Sequence, residues 1–303
     1  MPYMIDLRRL RVLRAVAHYG TVTAAARALH FTPSAASQQI RQLGRELGVD
    51  LLEPHGRRVR LTPAARTLLE HADAIEARWE QAESELCAQD GEPAGLLRVC
   101  GFPVAVSTLL APTAAALRDR HPRLTVRITE TEPHGSFDLL FEREADLAIV
   151  EAVPGAPPPG DARFDQRPLL DDPFDLVVPD THPLARRRRV DLAEAAGEDW
   201  VVPLPDSTCH AHTLTACGAA GFTPAIAHHA LAWEAIAALV AHRLGVALVP
   251  RLAHLPPHLP VVRVPCAGNP SRRLLTCTRR GGRERPAVAA ALEELRRIAP
   301  AAV

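Results

Sequence analysis

Near the start of the chain, a run of small and hydrogen-bonding side chains has the chemistry to read the edges of DNA bases. Residues 32–41 include one threonine, two serines, two glutamines and one arginine. Glutamine can bond to adenine, arginine to guanine or a phosphate, and serine to several base edges. The side chains expected to contact DNA in this run and just before it are Thr23, Thr32, Pro33, Ser34, Ser37, Gln38, Gln39 and Arg41.

Two short helices joined by a tight turn are predicted to position these side chains. Thr32 is a suitable N-cap, and Pro33 fits the first helical position, where its missing N–H costs nothing. Small residues at helical spacing over 24–29 allow the preceding helix to pack closely. The apolar face of the second helix is predicted to contain Ala36, Ile40, Leu43 and Leu47. This pattern is typical of a helix–turn–helix whose second helix enters the major groove.

A short β-hairpin with cationic sides is predicted to follow over residues 51–62. Its Arg57, Arg58 and Arg60 are expected to contact the phosphate backbone as a wing. Residues 1–66 contain 11 arginines and 4 acidic residues, which gives a net charge of +7. The rest of the chain contains 24 arginines and 31 acidic residues, which gives a net charge of −7. Because phosphate neutralisation dominates nucleic-acid affinity, this charge distribution favours DNA binding over the alternative, a helical bundle without a DNA role.

Residues 6–66 resemble the winged helix–turn–helix of LysR-type transcriptional regulators, a family of bacterial proteins. The resemblance rests on motifs such as Ser34-Ala35-Ala36-Ser37 and Leu61-Thr62-Pro63-Ala64. It implies a transcriptional regulator with a DNA-binding domain over 1–66 and a C-terminal effector-binding domain. Two positions depart from the family pattern, since Leu52 replaces a usual phenylalanine and Pro54 a usual arginine. Proline carries no charge and is stiff, so Pro54 predicts an altered contact between the wing and DNA.

A long helix is predicted next, because residues 64–89 contain neither glycine nor proline. One face of this helix repeats apolar residues at spacings of 4, 3, 4, 3 and 4, which is typical of a coiled-coil seam. The predicted seam consists of Leu68, Ala72, Ile75, Trp79, Ala82 and Leu86. We therefore expect residues 67–90 to form a linker and dimerisation helix, with a homotetramer as the further assembly. A helix packed on its own domain is the alternative.

Residues 91–303 alternate strand and helix patterns, which predicts an α/β effector-binding domain. The βαβαβ order at its start implies a parallel sheet with helices on both faces, where ligands bind at the carboxyl ends of strands. The family resemblance continues through this region and implies a periplasmic-binding-protein-like fold of two subdomains. Subdomain I is expected over about 95–163 and 264–303, and subdomain II over about 164–263. The fold class of the whole chain is thus α/β, with a mostly α-helical N-terminal domain.

The resemblance places an effector in the cleft between the two subdomains. The residues expected to contact it are Phe102, Pro103, Val104, Ala105, Val106, Ser107, Glu151, Pro203, Ser207, Thr208, His229 and Arg243. The turn after the first strand, residues 102–107, is mainly apolar. One hypothesis is therefore a partly apolar effector that offers a hydrogen-bond donor or a cation to Glu151. The alternative is that Glu151 is a solvated loop carboxylate. Arg243 stands where the family commonly has glycine.

Cys209 and Cys217 suggest an alternative function, a thiol-based redox response. They lie where the peroxide-sensing branch of the family places its redox pair, and a helix N-terminus near Cys209 can lower a thiol pKa. On an intact helix, however, their Cα atoms would be about 12 Å apart, beyond disulfide reach, so two ordinary cysteines are the other possibility. A metal site is the weakest hypothesis, and its candidate ligands are His210, His212, His228 and His229. No cofactor or metal is expected.

An enzyme and a solute-binding protein are the remaining alternatives for the α/β part. The sequence has no glycine-rich phosphate loop, no Gly-x-Ser-x-Gly and no His-Glu-x-x-His, so we expect no enzyme. No apolar run approaches the ~18 residues of a membrane span, and no signal peptide is recognisable, so a cytoplasmic location is expected. The expected partners are double-stranded promoter or operator DNA, a small-molecule effector, a second copy of the chain and RNA polymerase.

Overall fold

The computed structural model describes residues 6–55, 58–88, 92–153 and 155–302. The chain forms two compact units, of which the first comprises residues 1–90, 160–165 and 279–285. The second comprises residues 91–159, 166–278 and 286–303. The two short segments, 160–165 and 279–285, come from the part of the chain that the sequence assigns to the effector-binding domain.

The first unit contains the predicted helix–turn–helix, hairpin and long helix. Its elements are α1 Leu7–Tyr19, α2 Val22–Ala28, α3 Pro33–Leu47, β1 Leu52–His55, β2 Arg58–Leu61 and α4 Pro63–Ala88. The hydroxyls of Thr21 and Thr32 accept hydrogen bonds from the amides of Ala24 and Ala35 and cap α2 and α3. Gly48 ends α3 with a φ of 69°, a left-handed conformation that glycine adopts easily. Local capping chemistry therefore sets where the recognition helix begins and ends.

The second unit is built on a seven-stranded mixed sheet and a separate two-stranded sheet. Its strands are β3 Gly95–Gly101, β4 Leu124–Glu130, β5 Leu147–Glu151, β6 Phe164–Pro179, β7 Asp199–Val202, β8 Ala225–His229, β9 Ala247–Pro250, β10 Val261–Pro265 and β11 Ser271–Arg279. The large sheet has the order β10-β6-β11-β5-β3-β4, β9 pairs with β6, and β7 pairs with β8 in parallel. The first two residues of β6 and the last residue of β11 are counted with the first unit.

Strand direction differs from the prediction of a parallel sheet. The β3 strand does run parallel to β4 and β5, as the βαβαβ order predicts. In contrast, β11 runs antiparallel to β5, and both β9 and β10 run antiparallel to β6. The sheet is therefore mixed, with parallel pairs at β3 and antiparallel pairs at β6 and β11.

Helices cover the sheets and complete the cores of the second unit. They are α5 Pro103–Ala105, α6 Ala111–Arg120, α7 Pro133–Phe141, α8 Thr208–Ala219, α9 Trp233–Ala241 and α10 Pro286–Ala302, with a π-helical segment, Val106–Leu110, between α5 and α6. One apolar cluster contains Leu97, Ile149 and Leu292, and another contains Trp200, Cys209 and Cys217. Among the described residues, no helix is long and apolar enough to cross a bilayer.

Candidate DNA-binding surface and effector site

The N-terminal half of α3 presents a polar face to solvent and an apolar face to the core. Ser34, Gln38 and Arg41 are exposed, whereas Ile40 and Leu43 are buried. Of the other predicted contacts, Thr23, Thr32 and Pro33 are exposed, and Ser37 and Gln39 are partly exposed. The helix therefore leaves uncharged donors and acceptors, followed by a cation, free to meet base edges.

A groove of about 750 Å³ runs beside this face of α3. Gln38 and Arg41 line it together with Arg45, Val49 and Asp50. Two guanidinium groups against one carboxylate make this groove basic on balance. The two side chains that best suit base recognition therefore lie next to a further cation that can contact a phosphate.

The predicted hairpin is present, with Glu53 opposite Arg60 and Pro54 opposite Val59. Arg60 donates from Nε to Glu53 Oε1 at 2.8 Å, and both side chains are substantially exposed. An exposed ion pair of this kind is weak, so the Arg60 guanidinium can exchange Glu53 for a phosphate. Arg57 lies outside the described residues, and only the backbone of Arg58 and Pro54 is described.

The α4 helix carries an exposed apolar face. Trp79 is 60% exposed, and Ile75 and Leu86 are similarly open, while Ala82 is exposed and Leu68 partly exposed. Ala72 differs from the other predicted seam residues because it is 1% exposed, on a helix that packs against α1. Its methyl group is buried within the first unit and is not available to a second copy. The exposed apolar face of α4 therefore consists of Leu68, Ile75, Trp79, Ala82 and Leu86.

In the second unit, Glu151 lies at the carboxyl end of β5 and is 1% exposed. Its carboxylate accepts hydrogen bonds from Thr208 Oγ1, at 3.1 Å, and from His212 Nε2. Arg272 Nη1 lies 3.7 Å from the second carboxylate oxygen. Glu151 is therefore not a solvated loop carboxylate. It is also not an unpartnered acceptor, because Thr208, His212 and Arg272 already contact its two oxygens.

Arg272 connects Glu151 to a second buried carboxylate. Its Nε donates to Asp172 Oδ2 at 2.9 Å, and the residue is 3% exposed. Phe102 lies against the guanidinium, whose central carbon is 4.9 Å from the ring centroid. Burial raises the pKa of the Asp172 carboxyl, although Arg272 opposes this shift. We call Glu151, Asp172, Thr208, His212 and Arg272 the buried ionic cluster.

The predicted first turn contributes less to an open site than expected. Val104 and Ala105 are buried in the core, and Phe102 packs on Arg272. Pro103 and Ser107 are exposed and Val106 is partly exposed, with the Ser107 hydroxyl donating to the Val104 carbonyl. Where α5 continues into the π-helical segment, the side chains of Val104 and Ala105 therefore pack into the core and are not available to an effector.

Arg243 lies apart from the buried ionic cluster. It is exposed, has a φ of 61°, and lines a small pocket with His182, Glu198 and Gly245. No hydrogen bond or ion pair joins it to the other predicted effector contacts in the described part of the chain. The structure therefore separates Arg243 from the rest of that set.

The imidazoles of His210, in the first turn of α8, and His229, at the end of β8, meet beside the loop that leads into α8. His210 and His229 stack with ring centroids 5.9 Å apart, and the Nδ1 atoms of both lie within hydrogen-bond distance of the Pro203 carbonyl oxygen, at 2.9 and 3.2 Å. A carbonyl only accepts, so both Nδ1 atoms must carry a proton, and the tautomer protonated there alone has its lone pair on Nε2. Ser207 and Thr208 lie beside this pair at the helix N-terminus. Among the described residues, no group of three or more potential metal ligands occurs.

The two cysteines of the redox hypothesis occupy one continuous helix, α8, and both are buried and reduced. Burial raises the pKa of the Cys209 thiol to about 11 and that of Cys217 to about 12. The expected lowering by the helix N-terminus is thus wrong, because desolvation outweighs it. Arg272 Nη1 lies 3.6 Å from Cys209 Sγ, which partly offsets the effect of burial on that thiol alone.

Sequence analysis missed three members of this region, namely Arg272, Asp172 and Phe174. Because Asp171 and Arg273 stand directly beside them, the sequence does not single out Asp172 and Arg272, although a buried charge needs a partner. Nothing in the sequence indicates which partner it is, because residues 172 and 272 are a hundred positions apart. His212 follows Thr208 by four residues, and this helical spacing places both side chains on one face.

The comparisons with known proteins agree with this architecture of a winged helix–turn–helix followed by an α/β ligand-binding unit. Residues 7–66 match the family model of the bacterial regulatory helix-turn-helix protein, lysR family, and residues 90–300 match that of the LysR substrate binding domain. The chain is 30% identical over 283 residues to the DNA-binding transcriptional dual regulator OxyR of Escherichia coli, covering 92% of this chain and 90% of that protein. It is 31% identical over 199 residues to the RuBisCO operon transcriptional regulator of Allochromatium vinosum, covering 65% of this chain and 64% of that protein.

Solved structures share the fold. A full-length OxyR variant from Pseudomonas aeruginosa aligns with a TM-score of 0.64 at 24% identity, covering 97% of this chain and 95% of that one. The C-terminal domain of a probable LysR family regulator from Rhodococcus aligns with a TM-score of 0.58 at 26% identity, covering 67% of this chain and 98% of that domain. The class is thus a DNA-binding transcriptional regulator with an effector-binding domain. The chain belongs to the LysR family.

Proposed function

We propose that this regulator binds its operator as a dimer through the exposed face of α3, and that a small-molecule effector alters the geometry of the DNA-bound assembly. The proposal of DNA binding rests on the exposed positions of Ser34, Gln38 and Arg41 on a helix whose other face is buried. Two copies joined through the exposed apolar face of α4 would present two such helices to two half-sites.

Fluorescence anisotropy on the DNA upstream of the coding region tests this assignment. Gln38→Ala and Arg41→Ala should each weaken operator binding by about 1–3 kcal/mol if the side chain makes a good base contact. Arg118→Ala removes an exposed arginine from the second unit and should leave affinity unchanged. Normal operator affinity in both recognition-helix variants would contradict the proposal, as would binding that does not respond to salt.

For the effector, we propose that its contacts are the stacked His210–His229 pair with Ser207 and Thr208. In the tautomer that donates from Nδ1 to Pro203 O, each of these rings has its lone pair on Nε2. They favour a partly apolar effector that offers hydrogen-bond donors, such as hydroxyl, amine or amide groups. This pair takes the role that sequence analysis gave to Glu151.

A thermal-shift screen of small metabolites on the full chain can find the effector. His229→Gln should then weaken its binding at least tenfold, and His242→Gln, which changes an exposed histidine after α9, is the matched control. Equal binding by wild type and His229→Gln would reject the assignment. Such an effector acts only if its affinity differs between the two states of the DNA-bound protein.

Further contacts belong to the same proposal. We propose that dimers pair into tetramers, that RNA polymerase is a partner on the promoter, and that the protein acts in the cytoplasm, where its DNA is. Mass photometry at several concentrations distinguishes dimers from tetramers, and a promoter-bound polymerase assay tests the second contact.

A thiol-based response is the second candidate function. Two observations favour it, namely the 3.6 Å contact of Arg272 with Cys209 Sγ and the 33% identity, over 83% of this chain, to a probable hydrogen peroxide-inducible genes activator of Mycobacterium avium. The raised thiol pKa and the intact α8 helix oppose it. If peroxide treatment gives no 209–217 bridge by mass spectrometry and leaves DNA binding unchanged, this candidate is wrong.

A further inference from the structure

A cavity of about 490 Å³ borders α8, and neither His210 nor His229 is among the residues that line it. This volume falls within the range of about 300–1,000 Å³ that is common for small-molecule sites. Ala216 and Ala219 of α8 and the following Ala220 line it on one side, and Ala267, Gly268, Pro270 and Ser271 line it from the start of β11 and the loop before it. The short side chains on the helix leave room that larger residues would fill.

Polar groups in this cavity are few. Asp191 and His212 are the titratable side chains that line it, and the hydroxyls of Thr215 and Ser271 add weak donors and acceptors. Asp191 is committed in part, since its carboxylate accepts from the Ala193 amide. A negatively charged occupant would meet this carboxylate, so the lining favours a neutral and largely apolar molecule.

His212 gives the cavity one directed contact. Its Nε2 bonds to the Glu151 carboxylate, which can only accept, so Nε2 carries a proton, and in the tautomer protonated there alone Nδ1 holds a lone pair. In the described part of the chain, this Nδ1 has no hydrogen-bond partner. An occupant with an N–H or O–H group therefore gains a hydrogen bond that a purely apolar occupant does not.

Two lining side chains also belong to, or contact, the buried ionic cluster. His212 bonds to Glu151, and the Phe174 ring lies 5.4 Å from the His212 ring and 6.0 Å from the Arg272 guanidinium carbon. Arg272 in turn contacts Cys209 Sγ. Anything that moves His212 or Phe174 consequently changes the surroundings of Arg272 and Cys209.

We propose that this cavity is a second ligand site for a small, neutral, largely apolar molecule with one hydrogen-bond donor, and that occupancy is transmitted through His212 and Phe174 to the buried ionic cluster. The site goes beyond the effector contacts proposed above, and its test requires no DNA, so either proposal can fail without the other.

Indole, 1-methylindole and indole-3-carboxylate are suitable probes for calorimetric titration of the full chain. Indole should bind saturably, 1-methylindole several-fold more weakly because it lacks the N–H donor, and the carboxylate not measurably. Ala219→Leu, at an exposed position on α8, should weaken indole binding at least tenfold by filling the cavity. Ala115→Leu, at an exposed position on α6, should bind indole like wild type.

Transmission from the cavity to the buried ionic cluster is measured by the rate at which iodoacetamide alkylates Cys209. Peptide mass spectrometry follows this rate. Saturating indole should change this rate at least threefold in wild type and not in Ala219→Leu. Absence of indole binding to wild type, or equal binding by Ala219→Leu, would overturn the site. An alkylation rate that indole leaves unchanged would overturn the transmission.

Discussion

Replacing Arg272 by methionine should destabilise the second unit strongly. The substitution leaves the Asp172 and Glu151 carboxylates buried without their shared cation, and both of these side chains are fully buried. Removing one partner of a buried ion pair costs about 3–5 kcal/mol. In a unit of this size that corresponds to a fall in the melting temperature of roughly 6–20 °C.

The adjacent strand residue provides a matched control. Arg273 pairs with Asp171 at 3.0 Å, but both side chains are more than half exposed. Arg273→Met should therefore cost less than about 1 kcal/mol. The two variants make the same chemical change at neighbouring positions of β11, so burial is the variable that separates them.

Urea unfolding of the full chain, followed by circular dichroism, measures both effects. Asp172→Asn in the Arg272→Met background should recover part of the loss, because it removes one buried charge. Burial raises the pKa of Asp172, and loss of Arg272 raises it further, so the folded variant binds a proton more readily than the unfolded chain. The destabilisation should consequently shrink as the pH falls from about 8 to about 5. Equal losses in Arg272→Met and Arg273→Met would refute the reasoning.

Three further outcomes are expected. Trp79→Glu places a charge on the exposed apolar face of α4 and should shift the chain from dimer to monomer in sedimentation velocity, whereas a change at exposed Arg78 should not. Gly245→Ala should cost about 1–3 kcal/mol in thermal unfolding, because Gly245 has a φ of 145° and an added Cβ would lie 2.6 Å from the Asp199 carbonyl oxygen. Gly197→Ala, with open space around its Cα, should be neutral or slightly stabilising by comparison. Cys217→Ser should leave DNA binding under peroxide unchanged if the thiols have no redox role.

Local signals in the sequence were sufficient to predict the recognition helix of the first unit. Thr32, Pro33 and Gly48 fix the limits of α3 through bonds and backbone angles within a few residues. The apolar spacing assigns Ile40 and Leu43 to the core and leaves Gln38 and Arg41 outside. Strand pattern and order also predicted β3, β4 and β5, since parallel neighbours need helical crossovers of recognisable length.

Long-range contacts limited the prediction elsewhere. The antiparallel pairing of β9, β10 and β11 does not follow from any local pattern. Ala72 was assigned to the seam on periodicity alone, although the packing of α4 against α1 decides that it is buried.

The sequence by itself determined that the chain has a basic DNA-reading end and an α/β ligand-binding body, because capping, periodicity and charge act over short separations. Only the tertiary structure decided what surrounds Glu151. Thr208, His212 and Arg272 come from distant segments and meet that carboxylate through strand pairing and helix packing. Their contact places the Glu151 carboxylate in a cluster of groups from the chain itself, where the sequence alone had suggested an open acceptor.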